Sequence, residues 1–165
     1  MPLDDLLKEK LDMMNPERVD RELFLDTISQ IESSGGTNFN HPEIESGIHE
    51  GQRAIGRFGL MPNTVKEVVT RAEREGTATP VMRGIASEGP VTMKQILEAN
   101  PDLESDLAHR LAKKVLNKQQ DPEKAAYSWF EGHNLSPEQV DQRQYQQSDY
   151  VKKFNKLREK LKKKD

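Results

Sequence analysis

Four times in this 165-residue chain, a side chain that caps helices stands directly before a proline: Asn15-Pro16, Asn100-Pro101, Asp121-Pro122 and Ser136-Pro137. The pairing constrains the backbone strongly. A proline at the first helical position gives up an N–H that would have no partner there, and its ring fixes φ near the helical value. The preceding Asn, Asp or Ser offers an oxygen to the first free amides. Three segments also fit the capping-box pattern: Thr64-Val65-Lys66-Glu67, Thr92-Met93-Lys94-Gln95 and Ser136-Pro137-Glu138-Gln139. Behind these starts, apolar residues recur at helical spacing: Leu23, Phe24, Ile28 and Ile31, then Val65, Val68, Val69 and Ala72, then Leu107, Ala108, Leu111, Ala112 and Val115. Runs of alternating β-branched residues are missing. The reading is a mainly α fold, with helices over about 3–13, 16–32, 64–75, 92–99, 101–118, 122–131 and 137–162.

The length suits one domain that buries its core without metal or disulfides, and cysteine is absent. Only 33% of residues are hydrophobic, so part of the chain is expected to be exposed helix or tail. No apolar run reaches the ~18 residues of a membrane span, and Met1–Lys10 has no basic leader with an apolar stretch behind it. Charge is uneven. Residues 151–165 hold seven Lys and one Arg against Glu159 and Asp165, a net +6 that leaves −9 on the remainder of a chain at −3. The organisation expected is an N-terminal helix (1–15), a body (16–147) and a basic helical tail (148–165).

Residues 33–63 break the helical pattern. They contain Gly35, Gly36, Gly47, Gly51, Gly56 and Gly59, and irregular stretches of this length are often functional. A small hairpin within them fits the spacing. Glu32 stands at the boundary, just after Ile28 and Ile31 and before Ser33-Ser34-Gly35-Gly36. A carboxyl half surrounded by core is held in its neutral form to higher pH, which suits a general acid. Position alone, however, favours a merely solvated helix end.

The neighbouring motifs sharpen the reading. Ile31-Glu32-Ser33-Ser34-Gly35 resembles the Glu-Ser signature of the lytic transglycosylase branch of the lysozyme superfamily. About 20 residues on, that family shows Ala-x-Gly-Leu-Met-Gln, then apolar residues and Pro-x-Thr. Here Ala54-Ile55-Gly56-Arg57-Phe58-Gly59-Leu60-Met61-Pro62-Asn63-Thr64 aligns with it without a gap. A third element, Ala-Tyr-Asn-Ala-Gly, is similar to Ala125-Ala126-Tyr127-Ser128-Trp129-Phe130-Glu131-Gly132, with one extra residue before the glycine. Gly47-Ile48-His49-Glu50-Gly51 and the run after it look like phage-encoded members.

The resemblance implies a lysozyme-like (goose-type) helical domain. It implies cleavage of the β-1,4 bond between N-acetylmuramic acid and N-acetylglucosamine in peptidoglycan, with Glu32 catalytic and no cofactor. Ser33, His49, Glu50, Gly56, Phe58, Gly59, Met61 and Tyr127 would bind substrate. The family glutamine falls on Gly59 and its asparagine on Ser128, so its side-chain bonds to the sugar are absent there. The implied setting is the cell wall or periplasm, reached within a virion or through holin release, as an endolysin-like protein. A monomer is expected.

The same residues admit other readings. A muramidase would pair Glu32 with a second group such as Glu50 to activate water. A non-enzymatic module would keep the fold to bind peptidoglycan or build a virion. His41, Glu43, Glu45, His49 and Glu50 tempt a metal assignment, but lack the i, i+4 histidine spacing of helical ligation; a polar cleft wall is favoured. Phe130 reads as core and Tyr127 as a cleft residue, with Trp129 open. Tyr150, Phe154, Leu157 and Leu161 form a stripe on the basic tail, read first as packing and second as contact with an anionic envelope. No nucleic-acid motif accompanies it.

Overall fold

A computed structural model describes residues 16–45 and 51–163, without the side chains of 16–19. The expected helix over 3–13 lies outside the described residues. The protein is mainly helical: α1 (Pro16–Ser33), α2 (Pro62–Arg74), α3 (Pro80–Ala86), α4 (Pro90–Ala99), α5 (Pro101–Gln119), α6 (Pro122–Glu131), α7 (Pro137–Gln142), a 3₁₀ turn (Tyr145–Gln147) and α8 (Asp149–Lys162). Among the described residues there is no strand; the expected hairpin is reduced to two isolated antiparallel bridges, Glu43 with Arg53 and Ile55 with Leu60.

Every helix from α1 to α7 begins on a proline. The residue before a proline is driven out of the helical region into extended backbone, which is also the conformation of an N-cap. Met61 (ψ 146°), Thr79 (ψ 160°), Gly89 (ψ 168°), Asp121 (ψ 124°) and Ser136 (ψ 160°) all show it. Proline thus outranks the hydroxyl caps read from sequence. Thr64 and Thr92 do not open helices; they lie two residues inside α2 and α4, which start at Pro62 and Pro90. Asn100 spends its side-chain amide on the Ile96 carbonyl (2.6 Å) instead of capping α5 with it. Asp121 caps as expected, accepting from the Glu123 amide (2.8 Å), and Ser136 with Gln139 completes the capping box. Helix α3, unforeseen, is capped by Thr79, which accepts from Met82 N at 3.2 Å; its seven residues bury only Met82 and Ile85, too little to show a period.

The chain divides into two compact units, one of Met1–Ile28 with Ala112–Asp165, the other Ser29–Leu111. In the first, Phe24 on α1 meets Trp129 of α6 edge-on (5.8 Å) and Phe154 of α8 (5.5 Å). A second group joins Tyr127, Val140 and Val151, with Leu135 and Tyr145 against it. The expected continuous helix over 137–162 is therefore broken. Gln144 takes a left-handed φ of 55°, the 3₁₀ turn follows, and α8 folds back onto α6. The basic stretch is a packed element of this unit: Phe154 is fully buried and Val151 nearly so. Phe130, read as core, is instead 54% exposed and stacked on Tyr150 at 4.6 Å. Tyr127, read as a cleft residue, is 7% exposed within the core.

The second unit is α2, α3, α4 and the first half of α5, with the end of α1 and the loop before α2. Val65, Val69, Met82, Met93, Leu97, Leu107 and Ala108 are almost wholly enclosed. No helix among the described residues is long and apolar enough to cross a membrane.

Because Phe154 anchors α8, Phe154→Ala should destabilise the protein by about 3–5 kcal/mol, the usual range for emptying a buried ring. Chemical denaturation followed by circular dichroism measures it; a loss below about 1 kcal/mol would show that α8 is a solvated tail.

Candidate functional site

Glu32 is the penultimate residue of α1, half-buried, and the helix stops abruptly after it. Ser34, Gly35 and Gly36 take left-handed φ values of 52°, 78° and 94° in succession. The Gly35 amide reaches back to the Ser29 carbonyl (3.1 Å), and the Ser33 carbonyl accepts from Thr37 and Asn38, each at 2.9 Å. These bonds satisfy carbonyls that a helix end leaves open. The turn reverses the chain while the Glu32 carboxyl stays at the helix edge.

Opposite it lies a short turn closed by Ile55 and Leu60, whose amides and carbonyls exchange bonds of 2.7 and 3.0 Å. Within it Gly56 and Gly59 both adopt left-handed backbone, φ 69° and 65°. Three side chains fasten this turn. The Ser33 hydroxyl donates to the Arg57 carbonyl (2.7 Å) while accepting from the Gly36 amide (2.9 Å). The buried His41 ring donates from Nε2 to the Gly56 carbonyl (2.8 Å). Glu104, from the first turn of α5, accepts the Arg57 amide at 3.1 Å. Glu32 lies against Gly59, where an added Cβ would stand 2.7 Å from the Glu32 carboxyl carbon.

These contacts explain the departure at position 59. A side chain there would take on left-handed strain (φ 65°) and displace the Glu32 carboxyl from its present place. Sequence reading treated Gly59 as a lost sugar contact; the structure makes it the seat of Glu32.

The proposed binding residues divide. Glu32, Ser33, Gly56, Phe58 and Gly59 are brought together at the turn, with Met61 next in chain as the extended residue before α2. Ser33 (2% exposed) and Phe58 (4%) are buried. The Ser33 hydroxyl acts as a strut between α1 and the turn, and Phe58 is enclosed with the Arg57 guanidinium 5.3 Å from its ring centre. Their roles are to shape the turn. Tyr127 belongs to the first unit and is buried there with Val140 and Val151. His49 and Glu50 lie outside the described residues. Among the described residues no group of three or more His, Asp or Glu is arranged to hold a metal ion, and His41 is committed to the Gly56 carbonyl.

Sequence reasoning missed Glu104. It is 3% exposed, one of its oxygens is buried without a hydrogen-bond partner, and burial pushes its pKa from the ordinary 4.5 up to about 7. Burial is the largest influence, partly offset by the Arg57 and Phe58 amides. A signal was available. Glu104 is three, four and seven residues before Leu107, Ala108 and Leu111, so it sits on the apolar stripe of α5, where an acid needs a partner.

Comparison with protein-family models, with curated proteins and with solved structures found no match.

Two outcomes are expected. A raised pKa means that the folded state prefers the neutral acid, so stability from Glu104 is greatest at low pH. It falls as pH rises from about 4.5 to about 7, then levels. Denaturation midpoints across that range should show the decline, and Glu104→Gln should flatten it; equal slopes in the two proteins would exclude Glu104 as its source. Separately, Gly56→Ala should cost about 2–5 kcal/mol, combining left-handed strain with collision against the buried Glu104 carboxyl. Gly51 is the control: its φ is 80° but an added Cβ meets nothing, so Gly51→Ala should lose only about 1–2 kcal/mol. Equal losses would mean that Glu104 moves aside freely.

Proposed function

We propose that the protein is a peptidoglycan lytic transglycosylase of lysozyme-like fold, in which Glu32 is the acid and then the base. The observation that carries this reading is the seating of Glu32: a half-buried carboxyl at a helix end, resting on the backbone of a two-glycine turn. The Glu-Ser pair and the Ala-x-Gly-x-x-Gly run that resemble the family are the residues that build that seat. Ser33 supports it by tying the helix end to the turn through the Arg57 carbonyl (2.7 Å).

In this reading the protonated Glu32 donates its proton to the oxygen bridging N-acetylmuramic acid and N-acetylglucosamine. The C1–O bond breaks through an oxocarbenium-like state, and the N-acetylglucosamine side leaves as an alcohol. The Glu32 carboxylate then takes the proton of the muramic C6 hydroxyl as that oxygen bonds to C1. A 1,6-anhydro sugar results, and Glu32 is protonated again. One carboxyl suffices because its protonation alternates between the steps. Hydrolytic schemes instead use two carboxyl groups facing the scissile bond. Glu104 does not supply the second, being enclosed at 3% exposure and bonded to the Arg57 amide.

The protein acts on cell-wall glycan in this proposal. The basic face of α8 offers a contact to an anionic envelope, with Lys152, Lys153, Lys156 and Lys160 all exposed.

Digestion of purified peptidoglycan, with mass spectrometry of the released fragments, tests the reaction. Anhydro ends are expected. Reducing ends would replace the transglycosylase by a muramidase, and absence of fragments would leave a binding or structural module. Glu32→Gln keeps the shape and loses the transferable proton, so cleavage should fall by about 10²–10⁴-fold with an unchanged circular dichroism spectrum. Activity within a few-fold of the parent would remove Glu32 from the mechanism.

A further inference from the structure

The Gly56–Gly59 turn has an acid at each end. Glu32 lies on Gly59, and Glu104 lies under Gly56, where an added Cβ would stand 2.6 Å from its carboxyl carbon. Between them the turn spans only Arg57 and Phe58, and Glu104 accepts the Arg57 amide at 3.1 Å. The Ile55–Leu60 bonds close the turn outside both glycines, so its two ends belong to one short closed loop.

We propose that Glu104 is a positioning residue: by gripping the Arg57 amide it sets the Gly59 backbone on which Glu32 rests. This rests on the reading of Glu32 as the working acid. Glu104 itself does not reach substrate. It acts through the turn.

The grip depends on charge. An ionised carboxylate accepts amide hydrogen bonds about twice as strongly as a neutral group, and one Glu104 oxygen has no hydrogen-bond partner to receive an added proton. With a pKa of about 7, both forms are populated near neutral pH. Ionisation tightens the turn locally even though it makes the buried acid costlier to the fold as a whole. The charged or titratable groups around it are Glu98 of α4, which opposes ionisation, and Arg57 of the turn, which favours it. His41, bonded to the Gly56 carbonyl, is the other titratable side chain fastened to the same turn.

The test is an NMR titration of the full chain from about pH 5 to about pH 9, following the glutamate carboxyl carbons and the turn amides. The Glu104 carbon should titrate near pH 7, with the Arg57, Phe58 and Gly59 amides sharing its midpoint. The Glu32 carbon should show an inflection at that same pH. In Glu104→Gln the step should vanish from all of them. Flat Arg57 and Phe58 amides, or a step surviving in Glu104→Gln and so belonging to His41, would overturn the proposal. If that variant does not fold, the wild type decides alone, since a Glu104 midpoint differing from that of the amides also overturns it. On peptidoglycan, Glu104→Gln should lower kcat by up to about 10²-fold, as misplacing a reacting group does, with KM little changed. An unaltered kcat would deny Glu104 a positioning role. If the wild type cleaves no glycan, the proposed activity fails, while the titration still tells whether Glu104 sets the turn and the seat of Glu32.

Discussion

The hydrogen bond from the Arg57 amide to the buried Glu104 carboxyl joins α5 to a turn that has no helix or strand of its own to hold it. A carboxyl group enclosed at 3% exposure is costly, and desolvation penalties of this kind are tolerated only where the group is well bonded. Here the return is local order. Glu104 fixes the Arg57 amide of the turn, His41 and Ser33 fix its carbonyls, and the Ile55–Leu60 bridge closes its base. Backbone groups that would otherwise need water or a sheet partner are thereby satisfied. The seat of Glu32 is a consequence of this fastening, since Gly59 is the last residue of the fastened segment.

Prolines do for the helices what these side chains do for the turn. Each of α1 to α7 starts on a proline, and Met61, Thr79, Gly89, Asp121 and Ser136, each standing before one, are held in extended backbone. Helix boundaries are thus set by covalent geometry, with little dependence on burial. That suits a chain in which only 33% of residues are hydrophobic. Tertiary packing then has to place the helices, and it does so with small contacts: single rings such as Phe24 and Phe154 in one unit, short aliphatic rows such as Val65, Val69 and Leu97 in the other.

The glycine at position 59 changes how the resemblance to lytic transglycosylases is understood. Where that family presents a glutamine side chain, this chain presents bare backbone and brings the Glu32 carboxyl onto it. A side chain at position 59 would bear left-handed strain and would have to displace the Glu32 carboxyl. The serine after Glu32 likewise has a structural role: its buried hydroxyl reaches the Arg57 carbonyl and accepts from the Gly36 amide.

Sequence alone determined the helical class, the start of each helix whose proline it read as a cap, the irregular stretch between α1 and α2, and Glu32 at its edge. These follow from local rules: proline geometry, capping, helical period and the conformational freedom of glycine. Tertiary structure decided the rest. The break at Gln144 that turns α8 back onto α6 arises because Val151 and Phe154 find their partners on other helices, which no local window reveals. Phe130 lies outside and Tyr127 inside for the same reason, since adjacent positions on an aromatic-rich helix differ only in what faces them. Glu104 is the clearest instance. An acid on an apolar stripe is visible in the sequence, but its partner, the amide of Arg57, lies nearly fifty residues earlier. Only folding brings the two within hydrogen-bonding distance.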